Sequence, residues 1–368
     1  MRATYTAETV TPNPKEANPM DKEEIIGYEA LYESMMKCAK GVRWKSTVGH
    51  YIHNWPDEIE KLCRQLHDGT YQERKAKFFT ITEPKVREIM SIHFRDRIFQ
   101  RSLNDIGIYP QTSKSYIPDN FACQKGKGTD AARDRLKEFL HRYYRKHKTD
   151  GYALKLDIKG YYPNMDHDFA ESMLSQYIDA ETNELAQMVL KRLPNRVGYN
   201  PGSQIVQLIG ITALDKIDHY IKEELGIELY IRYMDDFLLI HESREYLEYC
   251  MERIKEKLAD INMKLSEKKS FIQPVSKPIL HLGFVYRLTS TGKVVILANP
   301  KKIKHEKKKI VRMKALVEKG DLSKWHVDRH FKAFKASVHY GNSVKLIYRL
   351  NRWYENLWRC DNGNYHQT

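Results

Sequence analysis

Disulfide chemistry and zinc-ribbon ligation are the first things this chain lacks the residues for. Its 368 residues include five cysteines. These are Cys38, Cys63, Cys123, Cys250 and Cys360, which stand far apart, form no C-x-x-C pair and make an odd total, excluding both a disulfide scaffold and a zinc ribbon. A reducing cytoplasm is the expected location. Long apolar runs are also missing: no stretch of about 18 apolar residues occurs, so no membrane span is expected. The opening MRATYTAETVTPNPKEANPMDKEE has neither the apolar centre nor the cleavage site of a signal peptide. Acidic residues are in deficit, 48 Asp plus Glu against 62 Lys plus Arg, which leaves a formal net charge of +14. Hydrophobic residues make up 41% and aromatics 11% of the chain, enough for real cores, so a disordered polycation is excluded. The length suggests about two or three structural units at roughly 100–200 residues each. A pI near 9.3, with 24 Tyr mixed among the cations, points to a polyanionic partner, nucleic acid before membrane.

Periodicity organises what is present. Residues 1–20, rich in Thr, Pro, Asn and Glu, read as a mobile arm. Tyr28, Leu31, Met35 and Cys38 repeat at helical spacing, and after N-W-P a second stripe of Ile59, Leu62, Cys63 and Leu66 ends at Gly69. Residues 75–91 read as a basic β-hairpin turning at Glu83-Pro84-Lys85. A helix follows over 131–148 through Leu136, Phe139, Leu140 and Tyr143. In the strand 152–158, Leu154 and Leu156 take one face while Lys155 and Asp157 take the other, which presents Asp157 outward at the strand end. Ile209, Ala213, Ile217 and Ile221 predict a helix over 205–225 stopped by Gly226. Apolar strands 229–232 and 237–240 flank the turn Tyr233-Met234-Asp235-Asp236. Leu247, Met251, Ile254 and Leu258 mark another helix. After Gly283 the composition shifts to a basic helical module, and no solenoid-period repeat occurs.

Two carboxylates at one hairpin turn repel strongly unless a cation holds them. Asp235 and Asp236 form such a pair, and Asp157 on a neighbouring strand end completes a hard-oxygen set suited to Mg²⁺. Two such ions about 3.5–4 Å apart activate a 3′-hydroxyl and stabilise a leaving pyrophosphate.

These segments resemble a family. L-Y-I-R-Y-M-D-D-F-L-L-I is similar to the catalytic hairpin of reverse transcriptases, and L-K-L-D-I-K-G-Y-Y-P-N-M-D-H to their first catalytic motif. I-N-M-K-L-S-E-K-K-S resembles the segment after that hairpin, and L-H-L-G-F the hairpin that grips the primer. H-F-R-D-R-I-F-Q-R and S-Y-I-P-D-N-F-A-C-Q-K-G-K-G-T resemble the fingers motifs of bacterial retroelement enzymes. The likeness covers about residues 75–350 and extends to the polymerases of diversity-generating retroelements, defence systems, group II introns and retrons.

The resemblance implies an α+β, right-hand polymerase fold with fingers, a palm with an antiparallel sheet and a helical thumb. The arm at 1–20 would lead into N-terminal helices and fingers over 21–150. The palm would cover 151–290, including part of the fingers at about 166–200, and a basic thumb 291–368. Asp157, Asp235 and Asp236 would hold two Mg²⁺, with Mn²⁺ as a substitute. Lys269 would protonate the pyrophosphate, with Lys268 beside it. Tyr162 would fill the space of a ribose 2′-hydroxyl, Lys125 and Lys127 would approach the triphosphate, and Gln207 would lie beside the nucleotide. One departure stands out: Gly202-Ser203-Gln204-Ile205-Val206-Gln207 has Val206 where retroelement relatives have serine, which leaves open a mutagenic retroelement enzyme and a defence-associated relative.

Lys301, Lys304, Lys308 and Arg312, at i, i+3, i+7 and i+11, share one helical face suited to duplex phosphates. Trp325, Phe331, Tyr340, Tyr348, Trp353 and Trp358 accompany them. About eighty residues follow L-G-F, room for a thumb but not for an added nuclease domain. The implied reaction is RNA-directed addition of deoxynucleotides in a bacterial or phage retroelement or antiphage system acting with a non-coding RNA. A maturase-like RNA-binding role and template-independent or protein-primed synthesis are the alternatives. Implied partners are an RNA template or structured RNA, a DNA or RNA primer, dNTPs, and an accessory protein or second copy, with no membrane.

Overall fold

The computed structural model describes residues 21–82, 86–191, 196–200 and 202–359. The expected arm, the Glu83-Pro84-Lys85 turn and Cys360 lie outside the described residues. Helices α1 (Lys22–Ile26), α2 (Tyr28–Ala39), α3 (Ser46–His53) and α4 (Trp55–His67) come first. Local chemistry sets their ends. The Asp21 side chain accepts from the Glu23 N–H at the start of α1, Pro56 occupies the first turn of α4, where an N–H has no partner to lose, and Gly69 leaves the chain at φ 66°. Leu31, Met35, Cys38, Ile59, Leu62 and Leu66 are buried as their spacing requires. Tyr28 is exposed and Cys63 half-buried, since each falls at the edge of its stripe.

The basic hairpin pairs β1 (Lys77–Ile81) antiparallel with β2 (Arg87–Ser91), Phe79 opposite Ile89. Helix α5 (Phe94–Ser102) passes through a π-helical turn, 103–108, into α6 (Tyr109–Thr112). Then follow α7 (Thr129–His147), β3 (Tyr152–Asp157), α8 (His167–Leu174), α9 (Ala180–Leu190), α10 (Gln204–Thr212) and α11 (Asp215–His219). The helix expected over 205–225 is divided: Leu214 leaves helical geometry at φ −104°, ψ 4° between α10 and α11, and a π-helical turn covers 220–224. Ile209, Ala213, Ile217 and Ile221 are nonetheless all buried, so the apolar period survives the break.

Next come β4 (Tyr230–Tyr233), β5 (Asp236–His241), α12 (Arg244–Ala259), β6 (Phe271–Pro274), β7 (Ile279–His281), β8 (Phe284–Leu288) and β9 (Val294–Ala298). Helices α13 (Pro300–Glu318), α14 (Lys324–Val338) and α15 (Val344–Arg359) complete the described chain. Helix α12 buries Leu247, Cys250, Ile254 and Leu258, with Cys250 taking the inward place expected for Met251. The segment after Gly283 is not helical at once, because the alternating Phe284, Tyr286, Leu288 and Val294, Ile296, Ala298 first form β8 and β9.

The larger sheet has the order β4-β5-β3-β6, and a smaller one β7-β8-β9. Two residues join β4 to β5, a connection that only antiparallel neighbours allow. Because β3 lies beside β5, the Asp157 end of β3 is next to the Met234–Asp235 turn. The fold is thus the expected α+β class. It divides into two compact units, one running to Gly128 with Lys155–Leu238 and Tyr249–Phe271, the other comprising Thr129–Leu154, Leu239–Glu248 and the chain from Ile272. All three aspartates belong to the first. In the second, α7 buries Leu136, Phe139, Leu140 and Tyr143, and α14 buries Val327, Phe331 and Phe334. Among the described residues no helix is long and apolar enough to cross a membrane.

Candidate active site

The two-residue turn after β4 is strained. Met234 has φ 54°, while Asp235 is not among the residues of positive φ. A hairpin with positive φ only at its first turn residue normally has glycine there, and a larger residue costs on the order of 1–3 kcal/mol. Strand β3 braces the turn from the side, since the Ile158 N–H donates to the Asp235 carbonyl at 3.4 Å.

Asp157 corrects the sequence expectation of an outward-facing carboxylate, because the residue is only 8% exposed. Its cover is Lys269, whose Nζ lies 2.7 and 2.8 Å from the two carboxylate oxygens. The Asp157 main chain is fixed too, donating to Ser270 Oγ at 3.3 Å and accepting from the Ser266 N–H at 2.7 Å. It is therefore Lys269, not Lys268, that reaches this carboxylate. Lys155 Nζ stands 3.5 Å from Asp236 Oδ1, a partner the sequence reading passed over although strand alternation puts Lys155 on the face of Asp157.

Asp235 is the electrostatic centre of this set. Burial pushes its carboxyl above the usual range, and Asp236 and Asp157 push it further, while its own backbone hydrogen bond and Lys269 oppose the rise. The same carboxylates raise the Lys269 ammonium, the hydrogen bond to Asp157 most of all. Among the described residues no group of three or more His, Cys, Asp or Glu side chains is gathered as a finished metal cage. The donor chemistry still fits a divalent cation: hard carboxylate oxygens stand at one strand end and the turn beside it, near enough that Asp236 and Asp157 add to the rise that burial gives Asp235, and a cationic ammonium already lies against Asp157.

Tyr162 stands beside the turn, its hydroxyl donating to Met234 Sδ at 3.6 Å. Burial, then the neighbourhood of Cys123 and Asp235, push that hydroxyl well above its ordinary acidity range, so it stays protonated. Behind the ring lies Gly210 of α10, which sequence reasoning missed. A Cβ there would fall 2.6 Å from the Tyr162 hydroxyl and 2.9 Å from Cζ, so only glycine leaves the ring its place. Gln207, one turn earlier on α10, accepts from Cys123 Sγ at 3.6 Å. Val206, where the sequence resemblance leads to an expectation of serine, is buried at 1% exposure. Lys127 Nζ donates to the Pro118 and Asn120 carbonyls, both at 2.9 Å, and the Lys125 ammonium lies 5.1 Å above the Tyr109 ring. The Lys127 ammonium is thus drawn onto its own loop and that of Lys125 onto the start of α6.

A buried ion pair, Arg232 with Asp218, lies beneath the turn with both side chains fully covered. The hint in sequence is a lone cation in the otherwise apolar L-Y-I-R-Y. Losing one partner of such a pair costs about 3–5 kcal/mol.

In the second unit, Asn299 caps α13 by accepting from the Lys301 N–H at 3.0 Å. Lys301, Lys304, Lys308 and Arg312 are all exposed, and Ile310 faces inward. Lys308, Arg312, Lys307 and Val311 form a shallow groove with Trp353, and the Lys307 ammonium sits 4.7 Å over the Trp353 ring. Two of the aromatics that accompany these cations pack against other rings. Phe331 is buried with Tyr354 stacked on it at 3.9 Å, while Tyr340 packs edge-on to Phe284 and donates to Asp134 at 2.7 Å.

Comparison with known proteins gives a family and a set of structural neighbours. No curated protein sequence matches the chain. Solved structures of telomerase are similar to it. An apo telomerase from Candida tropicalis truncated from its C-terminal domain shows 12% identity and a TM-score of 0.45, over 60% of this chain and 54% of that one. Telomerase from Candida albicans with a fragment of telomeric RNA shows 12% identity and 0.46, over 61% and 45%. The apo Candida tropicalis enzyme shows 11% and 0.46, over 66% and 53%. The chain thus spans about half the length of these structures. The family model described as reverse transcriptase (RNA-dependent DNA polymerase) matches residues 75–286. That match takes in β1 through β7 and the first part of β8, the strained turn and all three aspartates, and the chain belongs to the reverse transcriptase family.

Proposed function

We propose that this chain adds deoxynucleotides to a 3′-hydroxyl opposite an RNA template, with Asp157, Asp235 and Asp236 as the groups that hold Mg²⁺. The observation carrying this reading is Asp235, set at the turn beside the end of β3, whose carboxyl is raised by burial and by the neighbouring carboxylates of Asp236 and Asp157. Bound there, two Mg²⁺ supply activation of the attacking hydroxyl and charge neutralisation at the leaving pyrophosphate. The chain's own residues do the rest. Lys269, an ammonium that the bond to Asp157 holds still more firmly protonated, delivers its proton to the pyrophosphate oxygen. Tyr162, seated against Gly210, excludes a 2′-hydroxyl by volume. Gln207 lies beside the incoming nucleotide, and Lys125 and Lys127 turn from their contacts with α6 and the loop to the triphosphate. The exposed cations of α13 hold the duplex through its phosphates.

In this reading residues 21–150, with about 166–200, act as fingers, 151–290 as palm and 291–368 as thumb. The fingers-like segments H-F-R-D-R-I-F-Q-R and S-Y-I-P-D-N-F-A-C-Q-K-G-K-G-T support a bacterial or phage retroelement or defence enzyme working with a non-coding RNA. Reading the genes beside its own distinguishes the two: a template-repeat and variable-repeat pair marks diversification, and a structured RNA within a defence locus marks immunity. Primer extension on poly(rA)/oligo(dT) with dTTP and Mg²⁺ tests the activity. Extension is expected; tight hybrid binding without extension would make the chain an RNA-binding protein on a polymerase fold.

A further inference from the structure

The strained Met234 needs something to hold it, because its peptide could otherwise rotate to relieve the positive φ. The side chain in reach is Arg232, whose Nη1 donates to the Met234 carbonyl at 3.2 Å. Nε and Nη2 of the same guanidinium are also engaged. Nε donates to Asp218 Oδ1 and Oδ2 at 2.7 and 2.8 Å, and Nη2 to Asp218 Oδ2 at 2.6 Å and to the Ile211 carbonyl at 2.9 Å. Asp218 takes a further bond from the Tyr230 hydroxyl at 2.6 Å. The Arg232 main chain is clamped as well, its N–H donating to the Asp119 carbonyl at 3.0 Å and its carbonyl accepting from the Phe121 N–H at 3.1 Å. One planar group therefore ties α11, α10 and the turn together, and Arg232 and Asp218 are both 0% exposed.

We propose that Arg232 is a positioning residue for nucleotidyl transfer. By fixing the Met234 carbonyl it sets the peptide plane that leads into Asp235 and hence the direction of the Asp235 carboxylate, while Asp218 fixes Arg232. This rests on the reading of Asp235 as a catalytic carboxylate. An ion pair serving the core alone would not need the bond to the turn, since apolar residues of similar volume stabilise a core as well or better. Lysine cannot replace the arrangement. A guanidinium offers five N–H donors in a rigid plane and reaches Asp218 and the turn at once, whereas an ammonium is a single point.

Two variants test the proposal, each compared with the parent and with Asp235→Asn. Arg232→Lys keeps the charge opposite Asp218 but loses the tether. The triple variant Asp218→Leu, Tyr230→Phe, Arg232→Met keeps an apolar, packed interior without it. Thermal melts, kcat and KM for single dNTP incorporation, and hybrid Kd are measured for all. A tethering role predicts that kcat falls about tenfold or more in whichever variant folds, with dNTP KM and hybrid Kd within about twofold, and that the triple variant stays slow even where its Tm matches the parent. A kcat within about twofold of the parent in either variant, or a kcat that recovers along with Tm in the triple variant, would overturn it. Failure of both variants to fold would also overturn it, since the pair would then serve the core first. If Asp235→Asn itself keeps synthesis, the reading of the site fails; if that variant is dead while Arg232→Lys keeps its kcat, only the tether fails.

Discussion

The strained turn at Met234–Asp235 and the basic helix α13 carry charge in opposite ways. Around the turn the charged groups beside Asp235 have defined partners: Lys269 on Asp157, Lys155 near Asp236, and Arg232 on Asp218 and the Met234 carbonyl. Asp157, Asp218 and Arg232 are buried, Lys155 and Asp236 half-buried, and Lys269 is exposed above Asp157; where burial is complete, an atom lost leaves a neighbour uncompensated. On α13 the cations Lys301, Lys304, Lys308 and Arg312 face solvent. Surface charges of that kind act additively and are screened by salt. The first region suits chemistry, where one atom in the wrong place costs much. The second suits grip, where each cation adds a little and none is indispensable.

That contrast is most exposed to test at Lys269. Lys269→Gln should lower kcat about 10²-fold with hybrid affinity nearly unchanged, as loss of a proton donor does; a change confined to hybrid Kd would move Lys269 into the gripping class. Tyr162→Val should come next, shrinking the kcat/KM preference for dNTP over rNTP by about 10–100-fold. An unaltered preference would make Tyr162 a packing residue. Gly210→Ala should act through the same ring. With α10 behind it, the ring can yield only toward the nucleotide, so dNTP KM should rise by about three- to tenfold, and an unchanged KM would show that the ring finds another rotamer. The smallest effect per residue is expected on α13. Changing Lys301, Lys304, Lys308 and Arg312 together to Gln should weaken hybrid binding for every sequence and reduce the slope of log K against log salt by up to roughly 0.7–0.9 for each phosphate that is no longer neutralised. A constant slope would shift the nucleic-acid surface elsewhere and end the comparison.

The two regions also differ in how far they could be read in sequence. The strands, the turn and the three aspartates were legible because period-2 apolar runs flank Y-M-D-D and the motif order is specific. Burial of Asp157 was not legible, because alternation assigns a face without saying what covers it, and Lys269 arrives from a segment more than a hundred residues on. Gly210 and Asp218 escaped for a similar reason: an isolated glycine or aspartate in a helical run has meaning only once the ring or guanidinium opposite is placed. The break at Leu214 leaves the apolar period intact, so periodicity could not show it. On α13 the charged face was legible at once, but composition could not separate Tyr348, which is 62% exposed, from Phe331, which is 4% exposed.

The central claim is that Asp235 and Asp157 serve the chemical step while binding resides elsewhere. Its most direct test is primer extension on an RNA template by Asp235→Asn and Asp157→Asn, with hybrid Kd measured on the same preparations. Synthesis should fall by about 10³-fold or more while Kd stays within about threefold. Retained polymerisation by either variant, or a loss of synthesis that merely follows a loss of hybrid binding, would contradict it.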